Sequence, residues 1–182
     1  ADVLDICSSW ISHLPEDKKY GRVEGVGMNI FELENNKILT GFVAQDLNKD
    51  PSLPYEDGAF DAVNCVVSVD YLTQPLQVFK EVYRVLKPGG TCHISFSNRC
   101  FPSKAIEAWL RVGNSGRAKI IANYFHFSGK WSNIKALDIK DAPSFGDIMA
   151  KFSSPTGAMS AIASGSVGDP MFVVRATKPA AQ

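Results

Sequence analysis

Several carboxylates and hydroxyls in this chain stand where short apolar runs end, and these positions could do chemistry. In NCVVSVDYL, Asp70 and Tyr71 follow such a run, and Asp70 would be placed to act as a general base toward a substrate hydroxyl. The same carboxylate could instead cap a helix opening near Gln74. In QDLN, Asp46 and Leu47 put a hydrogen-bond acceptor beside an apolar surface. At the front, VLDICSSW places Asp5, Cys7, Ser8, Ser9 and Trp10 at a turn where a nucleotide-binding fold would place glycines. The histidines are poorer candidates. His93 alternates into an apolar strand and reads as a packed core residue, while His13 and His126 have no carboxylate or cysteine at metal-ligand spacing, so no metal site is expected.

The elements that must hold these residues follow from the apolar pattern. ADVLDIC, GRVEGVGM, LTGFVAQ, FDAVNCVVSV and GGTCHISFS are short, rich in β-branched residues and bounded by Gly, Pro, Asp or Asn, which predicts strands. Several are too continuously apolar for a half-exposed sheet, so they are expected to be covered on both faces, as in a parallel sheet. Between them lie segments of helical spacing: a short one near Trp10 to Leu14, one at Asn29 to Asn35, and a clear one from Gln74 to Leu86 stopped by Lys87-Pro88-Gly89-Gly90. Strands alternating with helices stack into a doubly wound α/β sheet, whose ligands sit outside the carboxyl ends of the strands.

The second half is looser. Phe101 to Gly129 reads as mostly helical with a break at Gly113-Asn114-Ser115-Gly116, followed by a strand from Asn133 to Ile139. The segment 141–169 is rich in Ser, Gly, Ala and Pro and reads as a long inserted loop. A final strand, Pro170 to Thr177, would form an antiparallel hairpin at the sheet edge. The aromatic set Trp109, Tyr124, Phe125, Phe127 and Trp131 could line a pocket for a flat or apolar acceptor, belong to the core, or form a partner-docking surface.

Composition narrows the class. With 182 residues and 45% of them hydrophobic, the chain can bury one sizeable core, and a single domain over 1–182 is expected. Nineteen basic residues balance nineteen acidic ones, so no field gathers nucleic acid or anionic lipid by charge alone, and no nucleic-acid partner is expected. Cys7, Cys65, Cys92 and Cys100 include no C-x-x-C pair and read as reduced, hence an intracellular setting. No apolar run reaches the roughly 20 residues that span a bilayer. The sequence lacks an initiator methionine and opens almost directly on a strand, as a processed form of something longer would.

The run LPYEDGAFDAVNCVVSVDYLTQPLQVFKEVYRVLKPGG resembles the central signature of the type 11 group of class I S-adenosylmethionine-dependent methyltransferases. There LPF-x-D-x-x-FD leads into the fourth strand and E-x-x-RVLKPGG closes the next helix. The resemblance runs from Asp2 to about Ser97, and DICSSWISHLP, GVGMN, QDLN and NCVVSVDYL look most like a branch found in plants and algae. It implies a Rossmann-like sheet of order 3-2-1-4-5-7-6 with the last strand antiparallel and a plastid or mitochondrial interior; the covering helices that the family carries ahead of the first strand are expected to be missing here.

The resemblance also implies a cofactor site. In the family the first strand ends in D/E-x-G-x-G-x-G; aligned on Asp5, the glycine positions are Cys7, Ser9 and Ile11. Either the Ser8 and Ser9 hydroxyls hydrogen-bond the cofactor's carboxylate in a narrowed site, or these serines cap a helix and Trp10 fills the pocket. The acidic residue that receives the ribose hydroxyls falls on Gly27, between Val26 and Met28, with Asn29 as a partial substitute; Glu24 is a poor one. Asp46 would accept from the adenine amino group, with Leu47 against the ring. Asn64 and Cys65 would flank the methionyl moiety, Asp70 and Tyr71 the mouth, and Asp61 would be a fold marker.

Two functions remain open on these residues. One is a methyltransferase for a small or lipophilic acceptor that binds S-adenosylmethionine; the other is a methyltransferase-like fold without transfer activity, serving as a structural subunit of a larger, organellar assembly through its late helices. A sensor that binds the cofactor without transfer is a third.

Overall fold

The computed structural model describes residues 1–15, 17–139 and 170–180. The expected strands form: β1 (Asp2–Ile6), β2 (Arg22–Gly27), β3 (Gly41–Ala44), β4 (Phe60–Val66), β5 (Leu86–Ser97), β6 (Ser132–Asp138) and β7 (Met171–Thr177). They make one seven-stranded sheet of order β3-β2-β1-β4-β5-β7-β6. Pairing is parallel from β3 to β5, and β7 is inserted antiparallel between β5 and β6. This is the doubly wound order expected from the sequence. The segment 141–169, read as an inserted loop, lies outside the described residues.

The helices are α1 (Ile30–Asn35), α2 (Pro75–Val85), α3 (Glu107–Leu110) and α4 (Asn114–Ser128). Asn29 caps α1 by accepting from the Phe31 N–H at 3.1 Å. Pro75 opens α2 at a position where a missing N–H costs nothing. The apolar face of α2 buries Val78, Phe79, Val82 and Val85 completely, and burying each such side chain contributes about 1.5–3 kcal/mol. α2 packs on α4 through Phe79, whose ring centroid lies 5.5 Å from Tyr124 and 5.0 Å from Phe125. Among the described residues no helix is long and apolar enough to cross a membrane.

Two parts of the sequence reading need correction. The helix expected near Trp10 to Leu14 does not form: Ser8 continues the β1 backbone pairing, His13 takes a left-handed φ of 44° and Pro15 follows, so no run of helical dihedrals is available. The break in the late helices lies at residues 111–113 rather than 113–116, with Gly113 as the cap and Asn114 already helical.

The two pieces of the signature clasp each other. Arg84 donates to the Leu53 and Tyr55 carbonyls and to Asp57, each at 2.8 Å, and to Glu81 at 2.7 Å, while Glu81 accepts from the Leu53 N–H at 2.9 Å. The E-x-x-R of α2 therefore fixes the LPYEDG loop that leads into β4. Asp61 accepts from the Asp2 N–H at 2.7 Å and from Lys87 at 2.9 Å, tying β1, β4 and β5 together at the end remote from their carboxyl termini. These bonds hold its carboxyl below the usual range. At Gly89, φ is 83°, which a side chain would oppose, and the chain there makes the bulge where pairing shifts from Phe60↔Leu86 to Ala62↔Thr91.

Candidate functional site

A cavity of about 320 Å³ opens at the carboxyl ends of β1, β2, β3 and β4. Its wall is built strand by strand: Cys7, Ser8 and Ser9 after β1; Gly27, Met28 and Asn29 after β2; Asp46 and Leu47 after β3; Ser68 and Tyr71 after β4. A second cavity of about 320 Å³ shares Cys7, Ser8, Ser9, Ser68 and Tyr71 with the first and adds Trp10, Ile11, His13, Val67 and Phe101. Ser68 and Tyr71 reach both because Val69–Tyr71 is a 3-10 turn, in which residues three apart share a face. The shared wall is where a group could pass from one cavity to the other.

The β1 turn is held by a buried polar network. Ser8 donates its hydroxyl to Asp5 at 2.6 Å, and Asn36 donates to the Ser12 hydroxyl at 2.9 Å and to the Ser9 carbonyl at 2.8 Å. Asp5 is buried, and desolvation pushes its carboxyl up to about 6 against the pull of the Ser8 and Ser12 hydroxyls. The Ser8 N–H donates to the Val26 carbonyl at 2.9 Å, so the chain stays beside β2 two residues beyond the end of β1. Ser9 donates its hydroxyl to Glu32 at 2.5 Å. Both serine hydroxyls are thus engaged by carboxylates of the protein, and neither caps a helix. Trp10 does not fill the cavity either: it is 49% exposed and packs edge-on against Phe31, with centroids 5.5 Å apart.

Gly27 is a physical requirement of this turn. A Cβ built there would collide with the Ser8 carbonyl and come within 3.2 Å of Leu33. No acid can stand at that position. Glu32, on α1, supplies a carboxylate to the same wall, held by Ser9 and by the Asn29 amide at 2.8 Å. Sequence reasoning missed Glu32 although its segment was read as a helix, because the side of α1 that meets the cavity is set by tertiary contacts. The spacing of Glu32 three residues after the cap Asn29 is the signal that could have found it. Glu24 is not on the wall.

After β3, Asp46 accepts from the Asn48 N–H at 3.0 Å, which fixes the carboxylate, and its other oxygen stands 3.8 Å from the well-exposed Lys49 ammonium. Leu47 is buried as the cavity's apolar floor. The positions past β4 fall out differently from the expectation. Cys65 is fully buried in the core, with its thiol pushed up by Cys7 and by burial. Asn64, on the alternate face of the strand, meets His93 at 3.2 Å in a separate cavity. Neither lines the first cavity.

Asp70 also departs from its expected role. It is tucked into the protein by the 3-10 turn, lies on the wall of neither cavity, and does not cap α2, whose cap Gln74 makes no side-chain bond. Its Oδ2 has no hydrogen-bond partner among the described residues, and burial raises its carboxyl while Arg117 opposes that. Tyr71 is on the shared wall, its hydroxyl raised first by burial and then by Asp70. His93 is held below the usual imidazole range by burial and by Arg175. Trp109 and Phe125 are buried core, whereas Tyr124 and exposed Phe127 line a separate cavity against the start of α2, so the set does not converge as a whole on one pocket. Among the described residues no cluster of His, Cys, Asp or Glu could hold a metal.

Residues 26–94, which run from the end of β2 to β5, match the family model described as a methyltransferase domain, type 11. The chain carries the class I methyltransferase fold. A curated relative, the malonyl-[acyl-carrier protein] O-methyltransferase of Marinomonas sp. (strain MWYL1), is 27% identical over 121 residues, covering 66% of this chain and 43% of the relative. The chain therefore spans less than half of that protein. Among solved structures, the [4+2]-cyclase SpnF matches with a TM-score of 0.62 at 16% identity over 99% of this chain and 76% of that one. The phosphoethanolamine N-methyltransferase 2 of Haemonchus contortus, in complex with phosphomonomethylethanolamine and S-adenosylhomocysteine, matches with a TM-score of 0.59 at 16% identity over 98% and 48%. A methyltransferase fold thus hosts more than one activity, and the activity must be argued from the site.

Proposed function

We propose that the first cavity binds S-adenosylmethionine and that the chain transfers its methyl group to a small, lipophilic acceptor held in the second. The observation that carries this reading is the wall itself: Leu47 offers an apolar floor beside the fixed acceptor Asp46, and Glu32 with Asn29 offers acceptors and a donor nearby, around a space that no side chain fills. These groups suit an adenine amino group and a sugar diol, respectively. When bound, the cofactor supplies a methyl group on a cationic sulfur, which leaves as a neutral thioether. The chain's part is to align the acceptor across the wall formed by Ser68 and Tyr71, since alignment of the two reactants accounts for most of the acceleration such a transfer needs.

The second cavity favours an apolar acceptor. Trp10, Ile11, Val67 and Phe101 line it and are all substantially exposed. Cys7 at φ 55°, His13 at 44° and Val67 at 45° hold left-handed backbone around it. Such conformations cost of order 1–3 kcal/mol each and cluster at ligand sites.

Isothermal titration of the chain with S-adenosylmethionine and S-adenosylhomocysteine tests the reading. Micromolar binding is the expected result; no heat at millimolar ligand would instead favour the structural-subunit reading. Asp46→Ala is expected to weaken S-adenosylhomocysteine by about ten- to a hundredfold, the value of a hydrogen bond to a charged group. Glu32→Gln should weaken it about tenfold with little change in thermal midpoint, whereas unaltered affinity would remove Glu32 from the site.

A further inference from the structure

We infer that Lys104, carried on the turn that follows β5, is the cation that receives the carboxylate at the amino-acid end of the cofactor. The inference rests on the S-adenosylmethionine reading above and adds the residue that reads that end of the molecule.

The argument begins with what the β1 turn has left to give. A carboxylate at this end of the cavity needs donors, and the serine hydroxyls of the turn are already engaged. The Ser8 N–H is on the Val26 carbonyl, the Ser8 hydroxyl on Asp5 and the Ser9 hydroxyl on Glu32. The two acidic residues on the wall, Glu32 and Asp46, stand on the β2 and β3 side and would repel an anion. Lys104 is the one cation on the wall among the described residues.

The turn that presents it is fastened to the site. Lys104 and Ala105 donate their N–H groups to the Phe101 carbonyl at 2.9 and 3.0 Å, and the Ile106 N–H donates to the Asp70 carbonyl at 2.9 Å. The loop is thereby pinned to the same 3-10 turn that forms the wall between the cavities. The Lys104 ammonium lies over the Phe101 ring, 5.5 Å from its centroid, and pairs with no carboxylate among the described residues. A cation resting on an aromatic face keeps most of its charge available to an anion. This arrangement also gives Asp70 a role the sequence did not suggest, as an anchor of the lysine-bearing turn.

The test compares two ligands that differ in this end. S-adenosylhomocysteine carries the carboxylate; 5′-methylthioadenosine lacks the whole amino-acid end. Lys104→Ala is expected to weaken S-adenosylhomocysteine about tenfold and to leave 5′-methylthioadenosine within about twofold, while Lys104→Arg keeps most of the affinity. Because Lys104 is exposed, the wild-type preference for S-adenosylhomocysteine should shrink between low and 0.5 M salt, where the Debye length falls to a few ångströms. Equal losses for both ligands, or no loss for S-adenosylhomocysteine, would overturn the assignment. If the wild-type chain binds neither ligand, the cofactor reading itself fails, an outcome distinct from a wild type that binds and a Lys104 variant that does not care.

Discussion

Gly27→Ala is expected to destabilise the chain by about 3 kcal/mol and to weaken or abolish cofactor binding. The added Cβ would meet backbone, the Ser8 carbonyl, which cannot swing aside as a long side chain would. Overpacking against fixed atoms costs typically 1–3 kcal/mol and occasionally more. Here the relaxation would break the Ser8 to Val26 bond and disturb Asp5, Ser9 and Glu32 together. Urea unfolding of the variant measures the effect, and Gly113→Ala is its control, since nothing lies within 4 Å of a Cβ there and φ is −80°. Unchanged urea midpoints for both would mean that the turn does not sit on Gly27.

Asp5→Asn is the second large effect, and it is read as a pH dependence. With a folded pKa of about 6 against 3.8 unfolded, Asp5 binds more protons in the native chain than in the unfolded one across that interval. Stability from this group therefore falls as pH rises from about 4 to 6 and stays low above it. The gap of about 2 pH units corresponds to about 3 kcal/mol. Asparagine still accepts the Ser8 hydroxyl but does not ionise, so this loss disappears. The readout is the change in unfolding free energy between pH 4.5 and pH 8, because an amide introduces buried N–H groups with costs of their own. Because part of the gap has already been lost by pH 4.5, the variant should gain on the wild type by about 2 kcal/mol between these two pH values. Parallel pH profiles for the two proteins would show that Asp5 is not desolvated in the native state.

The sheet was legible in the sequence because its signals are local. Period-two burial in β5, the apolar stripe of α2 and the turn at Gly89 can each be seen within a dozen residues. The pairing of LPYEDG with E-x-x-R was also written in the chain, though only the structure gives its meaning as one hydrogen-bonded clasp. The position of Asp46 and Leu47 was legible, since both stand on the cavity wall after β3 where the alignment placed them. The site was not legible where orientation decides. Asp70 and Tyr71 are neighbours in sequence, and a 3-10 turn sends one inward and the other to the cavity. Ser8 and Ser9 have the right chemistry for a ligand anion, but Ser8 turns back to Asp5 three residues away and Ser9 to Glu32 twenty-three residues on, a pairing no local pattern encodes. Glu32 and Lys104 escaped for a related reason, since the placement of the helix that carries one and of the turn that carries the other depends on tertiary bonds.

The fit between Gly27 and the Ser8 carbonyl works as a ratchet. Measured against the glycine-rich pattern, the chain differs in two places, and each difference blocks the repair of the other. An acid restored at position 27 has no room while the turn lies over it, and glycines restored at Cys7 and Ser9 would leave the Ser8 N–H bound to Val26 and position 27 still without its acid. Neither reversion improves the site alone. An engineer wishing to rebuild the standard pocket would have to move both walls in one step.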